Sequence, residues 1–228
     1  FMDIGFDVIN DLFLTDSESL NWEGKATSLY CIVAGNVSSD HRVIAHTLSH
    51  LSKFYQGVFY IDGYLEFQDT TDIPQFYKSL SNNISKIPNV VHLRSQVIII
   101  NGVAIIGANG WYGIPEDFNK IEYELHRSED FAYLTKGIEQ LQVHNDVKKI
   151  VVVTASAPNP DLYFGEYPSD IFQYPPLNLS LFADSEKKVS HWVFGSYKKT
   201  VDIVFDNINY VDNFYTKNQP YWPKRISV

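Results

Sequence analysis

Polar residues able to do chemistry stand just after apolar runs in this chain. In order they are Asp11 of Asp11-Leu12-Phe13, Asn36 of Ala34-Gly35-Asn36, the run Asp62-Gly63-Tyr64-Leu65-Glu66, Thr154 before Ala155, and Ser196 and Lys198 of Gly195-Ser196-Tyr197-Lys198. If the apolar runs are strands of an α/β fold, the loops after their C-termini are where function is expected. A metal centre in such loops needs converging carboxylates and imidazoles. The series offers Asp11, Asp62 and Glu66 but no histidine. His46 and His50 have the i, i+4 spacing of helical metal ligands, yet no third ligand accompanies them, so they read as ordinary imidazoles on a helix face. His41, His92, His126 and His144 are scattered, and His191 beside Trp192 reads as packed. Cys31, the one cysteine, excludes an intrachain disulfide and a cysteine-rich cluster, and its apolar surroundings mark it as a small buried hydrophobe. A glycine-rich phosphate loop, a Ser-His-Asp set and a nucleophile elbow are all missing.

The elements that must position these residues are short. Runs rich in branched and aromatic residues cover 2–9, 28–34, 57–61, 90–93, 96–100, 103–106, 149–154, 191–194, 200–205 and 208–212, and their length and flanks predict strands. Asn101-Gly102 is a strong hairpin signal, and Asp206-Asn207 suggests a second one. Helical spacing covers 40–54, with Val43, His46, Thr47, His50 and Leu51 on one stripe and Ser38, Ser39 or Asp40 as N-cap. It recurs over 73–84, where Pro74 suits a first turn, and over 123–146, where Gly137 weakens the prediction of an unbroken helix. Early strands alternate with helices and later ones follow each other, which predicts an α/β (α+β) fold: a two-sheet β-sandwich flanked by helices. One domain over 2–228 is the economical reading, with Met2, the only methionine, as the start and Phe1 as an extra residue ahead of it.

Composition narrows the function classes. The chain has 228 residues, 45% of them hydrophobic and 15% aromatic, which supports a core and argues against disorder. A net charge of -9 gives it no electrostatic reason to seek nucleic acid or an anionic membrane. No run approaches the ~18–20 apolar residues of a membrane span, and the acidic N-terminus is unlike a signal peptide, so a cytoplasmic location is expected. Abundant Asn, Ile, Tyr and Phe hint at an AT-rich genome such as a phage or a low-GC bacterium.

The ordered series of strand ends resembles the calcineurin-like metallophosphoesterases. Their pattern is Asp-x-His, Gly-Asp, Gly-Asn-His-Glu, a Thr-His after a hydrophobic strand, and a final Gly-His-x-His. The frames YCIVAG, VFYIDG, VAIIGANGW, KIVVVTASAP and HWVFG look like family strands, and the resemblance runs from about residue 3 to the C-terminus, implying a four-layer αββα fold. The departures matter more. Where the family has its first histidine this chain has Phe13, and the bridging aspartate is Asn36. The asparagine and histidine of Gly-Asn-His-Glu are Tyr64 and Leu65, although Glu66 is kept. The histidine after the threonine is Ala155, and the last two are Ser196 and Lys198. Of these eight metal-binding or catalytic positions only Asp11 keeps the family residue.

The losses are coherent as a set. Without ions, retained carboxylates would repel in a poorly solvated cleft. Asn36 removes one negative charge at similar shape, while Phe13, Leu65 and Ala155 need no polar partner. Lys198 is expected to stand in for a metal by pairing with Asp11. The resemblance therefore implies a member with no catalytic residue, no metal and no cofactor, acting as a protein-interaction or scaffold module; a retromer subunit of this fold is a precedent. The partner would be a protein. The candidate surface is the Pro- and Tyr-rich stretch 158–176 with Tyr163, Phe164, Tyr167, Phe172 and Tyr174, together with 214–222. The alternatives are a residual or altered metal-dependent phosphoesterase, and a non-hydrolytic binder of a nucleotide or phosphorylated ligand near Lys198 and Tyr64.

Overall fold

Branched residues alternating with equally apolar neighbours make strands that are buried on both faces, and this pattern builds the centre of the protein. A computed structural model describes residues 3–94, 96–111, 120–158, 162, 188–196 and 199–228. The first sheet has the order β11-β1-β2-β3-β4, with β1 Gly5–Ile9, β2 Tyr30–Ala34, β3 Gly57–Ile61, β4 Val90–His92 and β11 Lys224–Ser227. β1 to β4 run parallel and β11 pairs antiparallel with β1. The second sheet has the order β5-β6-β7-β8-β10-β9, with β5 Val97–Ile100, β6 Val103–Ala108, β7 Lys149–Thr154, β8 Val189–Val193, β9 Val201–Phe205 and β10 Ile208–Asp212.

The two sheets meet through Phe6, Val8, Ile32, Phe59, Val103, Ile105, Val151, Val153, Val193 and Val211. The other face of the first sheet, with Val33, Val58 and Tyr60, packs on helices α1 His41–Ser52 and α2 Ile73–Ile84. The other face of the second sheet, with Ile106, Ile150 and Trp192, packs on helix α3 Lys120–Val143. The layering is thus helix, sheet, sheet, helix, as the sequence predicts.

Both predicted hairpin turns form. Asn101 and Gly102 have φ 47 and 84, and Asp206 and Asn207 have φ 46 and 63, the left-handed pairs that match strand twist. Asp40 is the N-cap of α1, its carboxylate accepting from the Arg42 N–H. Ser38 instead donates to the Leu14 carbonyl and accepts from the Asp40 N–H. The buried stripe of α1 is Ile44, Thr47, Leu48 and Leu51 rather than the predicted one through His46, because the sheet lies one helical step further round. α3 passes Gly137 without a break. A Cβ there would come 2.4 Å from Ile106 Cδ1, so the glycine marks where the helix lies close on β6.

Candidate functional site

The loops after β1 and β2 are zipped together along the backbone. Asp11 N–H donates to the Gly35 carbonyl, Phe13 to Asn36 and Leu14 to Val37. This brings Asp11, Asn36, Ala155 and Ser196 from four strand ends into one buried cluster. Asp11, Phe13, Asn36 and Ser196 all hold φ between 47 and 66. A left-handed backbone is unusual for non-glycine residues, most of all for a bulky Phe13, and survives only where its surroundings impose it.

The polar atoms of this cluster satisfy each other. Asp11 Oδ1 accepts from Asn36 Nδ2 at 2.9 Å, and Oδ2 accepts from Asn10 Nδ2 at 2.9 Å and from the Ser196 N–H at 2.8 Å. Asn36 Nδ2 also donates to Ser196 Oγ at 2.8 Å, and Ser196 Oγ donates onward to the Ala155 carbonyl at 2.7 Å. Asn36 Oδ1 accepts the Leu65 N–H at 3.1 Å. A Cβ on Gly195 would sit 2.9 Å from both Asp11 carboxylate oxygens, so only glycine allows this approach. Ser196→Ala, which orphans the Asn36 amide and the Ala155 carbonyl, is expected to cost about 1–2 kcal/mol in a denaturant melt.

Glu66 anchors the next loop. Its carboxylate accepts from the N–H groups of Asn36, Val37 and Gly63 and from the Tyr60 hydroxyl, at 3.0 to 3.2 Å. Burial raises its pKa to about 7, with the charge of Asp62 adding to the rise and the donors opposing it. Tyr64 and Phe13 lie with ring centroids 6.4 Å apart, and the Tyr64 phenol is pushed up to about 12 by burial and by the charges of Asp11 and Glu66. Lys198, Tyr163, Phe164, Tyr167, Phe172 and Tyr174 lie outside the described residues. Of the 214–222 stretch, Tyr221 is buried and bonded to Asn10 and Asn213, while Trp222 is exposed.

Sequence reasoning missed a second polar cluster and described His92 as scattered. His92 instead pairs with Asp62 at 2.6 Å, and its other ring nitrogen meets Ser81 Oγ at 3.1 Å. Asp62 also accepts from Tyr77 Oη and Asn109 Nδ2. Burial alone would raise the Asp62 carboxyl, but His92, Asn109 and Arg94 bring it below its ordinary value. The available signal was the position of Asp62 at a strand end, directly before Gly63. His50 accepts from the Trp22 N–H, so it serves packing in the α1 region.

Asp130 on α3 accepts the Gly110 N–H at 2.9 Å, and burial, then the charge of Asp62, raises its carboxyl to about 7. A carboxyl raised in the fold contributes stability that is complete below its unfolded value and is lost as pH rises through the folded one. Asp130→Asn keeps an acceptor and removes that loss. The variant's advantage over the parent is expected to grow by about 2–3 kcal/mol between pH 5 and pH 8, read from urea midpoints at each pH.

The metal ions that the fold family implies do not suit this donor set. The central carboxylate already accepts three hydrogen bonds, one of them from the Asn36 amide, whose other N–H goes to Ser196 Oγ. Among the described residues, no group of three or more His, Cys, Asp or Glu side chains is placed to hold a metal ion.

No protein-family model matches the chain. It is 22% identical over 210 residues to the uncharacterized protein L509 of Acanthamoeba polyphaga mimivirus, across 78% of this chain and 75% of that protein. Among solved structures it is similar to the phosphopantetheinyl hydrolase of Mycobacterium tuberculosis, with a TM-score of 0.71 at 14% identity over 99% of this chain and 96% of that one. It is also similar to GAP50, described as the anchor in the inner membrane complex of Plasmodium, with a TM-score of 0.52 at 11% identity over 92% and 71% of the two chains. These likenesses define a metallophosphoesterase-like fold. Among the described residues, no helix is long and apolar enough to cross a membrane.

Proposed function

We propose that this chain is a catalytically inactive protein of metallophosphoesterase-like fold that works as a protein-interaction or scaffold module. The observation that carries the reading is the Asn36 side chain. It spends both N–H groups and its carbonyl on Asp11, Ser196 and the Leu65 backbone, and so links four strand-end loops through its own hydrogen bonds. A phosphoesterase of this kind relies on paired ions to generate hydroxide and steady the phosphoryl group. Phe13, Leu65 and Ala155 offer no ligand atoms in place of imidazoles. The description of GAP50 as an anchor supports use of the fold for attachment. The viral relative fits a viral or phage source for this chain.

The test is metal content of protein purified without chelator, together with hydrolysis of bis(p-nitrophenyl) phosphate in manganese. Substoichiometric metal and background hydrolysis are expected, unchanged by Asp11→Ala. About two ions per chain, with turnover abolished by Asp11→Ala, would overturn the reading.

A further inference from the structure

Beside the cluster lies an open cavity of about 560 Å³ lined by Phe13, Leu14, Thr15, Asp16, Ser38, Ser39, Asp40, His41, Leu65 and Asp69. Its apolar wall includes Phe13 and Leu65, two positions where the sequence departs from the family. A second cavity of about 500 Å³ shares Asp16 and Asp40 with it and adds Glu18, Arg42 and His46, so the two form one trough along the start of α1. The charge of this trough is one-sided. It carries Asp16, Glu18, Asp40 and Asp69 against Arg42, and the Arg42 guanidinium is already held by Asp40 at 2.8 Å. Glu18 is paired with Lys217. Asp16 and Asp69 are exposed and make no salt bridge among the described residues.

We infer that this trough is the docking groove for a basic segment of a protein partner, with arginine or lysine stems laid on Phe13 and Leu65 and their charged heads among Asp16, Asp40 and Asp69. The inference rests on the interaction-module reading and names the surface and the chemistry of the partner. Long basic side chains suit such a groove because they bury methylenes along apolar surface while keeping the charge in water. Arginine also stacks on aromatic rings and forks onto carboxylates, and Phe13 stands beside three carboxylates in one cavity. A phosphorylated ligand would meet these carboxylates with no unpaired cation among the lining residues to receive it.

The probe is fluorescein-labelled Ac-Ala-Arg-Leu-Arg-Ala-amide, titrated by anisotropy, with Ac-Ala-Glu-Leu-Glu-Ala-amide and inorganic phosphate as competitors and amide shifts used to place the contact. The arginine peptide is expected to bind, to weaken about tenfold in Asp16→Asn/Asp69→Asn, and to weaken with added salt. Neither competitor should displace it, and shifts should fall on residues 13–16, 38–42 and 65–69. Both substitutions are on exposed side chains and leave the core intact. A separate variant, Leu65→Arg, should block the groove from within. No binding up to about 1 mM, affinity unchanged in the double variant, shifts elsewhere, or displacement by phosphate would each overturn the inference. Those failures leave the non-catalytic reading standing, since that reading falls only on metal loading and Asp11-dependent turnover.

Discussion

Asn36→Asp is expected to lower stability at neutral pH by about 4 kcal/mol, a fall in melting temperature of roughly 8–16 °C for a chain of this size. The substitution is nearly isosteric, so the loss is electrostatic. Asn36 Nδ2 now bridges Asp11 Oδ1 and Ser196 Oγ, at 2.9 and 2.8 Å. An aspartate there puts two buried carboxylates in contact and turns a donor into an acceptor facing acceptors. Such a pair keeps one proton, so its apparent pKa in the fold lies above the unfolded value. Stability from that proton is complete at low pH and is lost as pH rises through the folded value. The deficit should therefore shrink between about pH 8 and pH 5, whereas Asn36→Ala, which adds no charge and removes only one donor from Asp11, should show a much weaker pH dependence. The reading of the site also requires that manganese leave the Asn36→Asp melt unchanged. Recovery to the parent melting temperature in manganese would mean that ions can bind between the two carboxylates and that the site is closer to a metal centre than its hydrogen bonds imply.

What was legible in the sequence follows from which interactions are local. Strand β3 at 57–61 and helix α2 at 73–84 form with the predicted bounds, since their apolar periods and flanking residues act over a few positions. Asn101-Gly102 and Asp206-Asn207 turn as predicted because both pairs tolerate positive φ. β11 was missed. In Lys224-Arg225-Ile226-Ser227 only Ile226 is buried, and an edge strand needs no apolar run of its own. The buried face of α1 was misplaced by one step because residues 43–51 carry apolar side chains on two adjoining stripes, and only the sheet chooses between them. The polar clusters were the hardest to see. Asn10 joins Asp11 to Asp212, 202 positions away, and His92 reaches Asp62 across 30. Partners at such separations are fixed by strand order, which composition and spacing do not carry. The family resemblance located Asp11, Asn36 and Ser196, and the structure adds that they bond to one another.

Glu66→Ala is expected to be the most damaging single truncation at the site, costing about 5 kcal/mol. The glutamate lies on a short 3-10 turn, Leu65–Phe67, and reaches back to the loop after β2. Removing its carboxylate strands the N–H groups of Asn36, Val37 and Gly63 together with the Tyr60 hydroxyl, all buried. Each orphan costs about 1–3 kcal/mol, and the sum falls short of full addition because water can enter the space left behind. A Cβ on Gly63 would come 2.2 Å from Asn36 Oδ1, so the chain has no slack with which to close that space. The pH dependence has a defined sign. Burial raises the carboxyl from an ordinary value of 4.5 to about 7, so its contribution is complete below the lower value and declines as pH rises through the upper one. The gap between parent and Glu66→Ala should thus be wider near pH 5 than near pH 8. Amide exchange gives the local readout: Asn36, Val37 and Gly63 should lose protection first, ahead of global opening. Protection retained at these three amides in Glu66→Ala, or a gap that widens with rising pH, would show that the loop is held by the Asp11–Asn36–Ser196 bonds alone. Because Leu65 and Ser38 line the trough beside this loop, the same variant should also weaken the arginine peptide without touching Asp16 or Asp69.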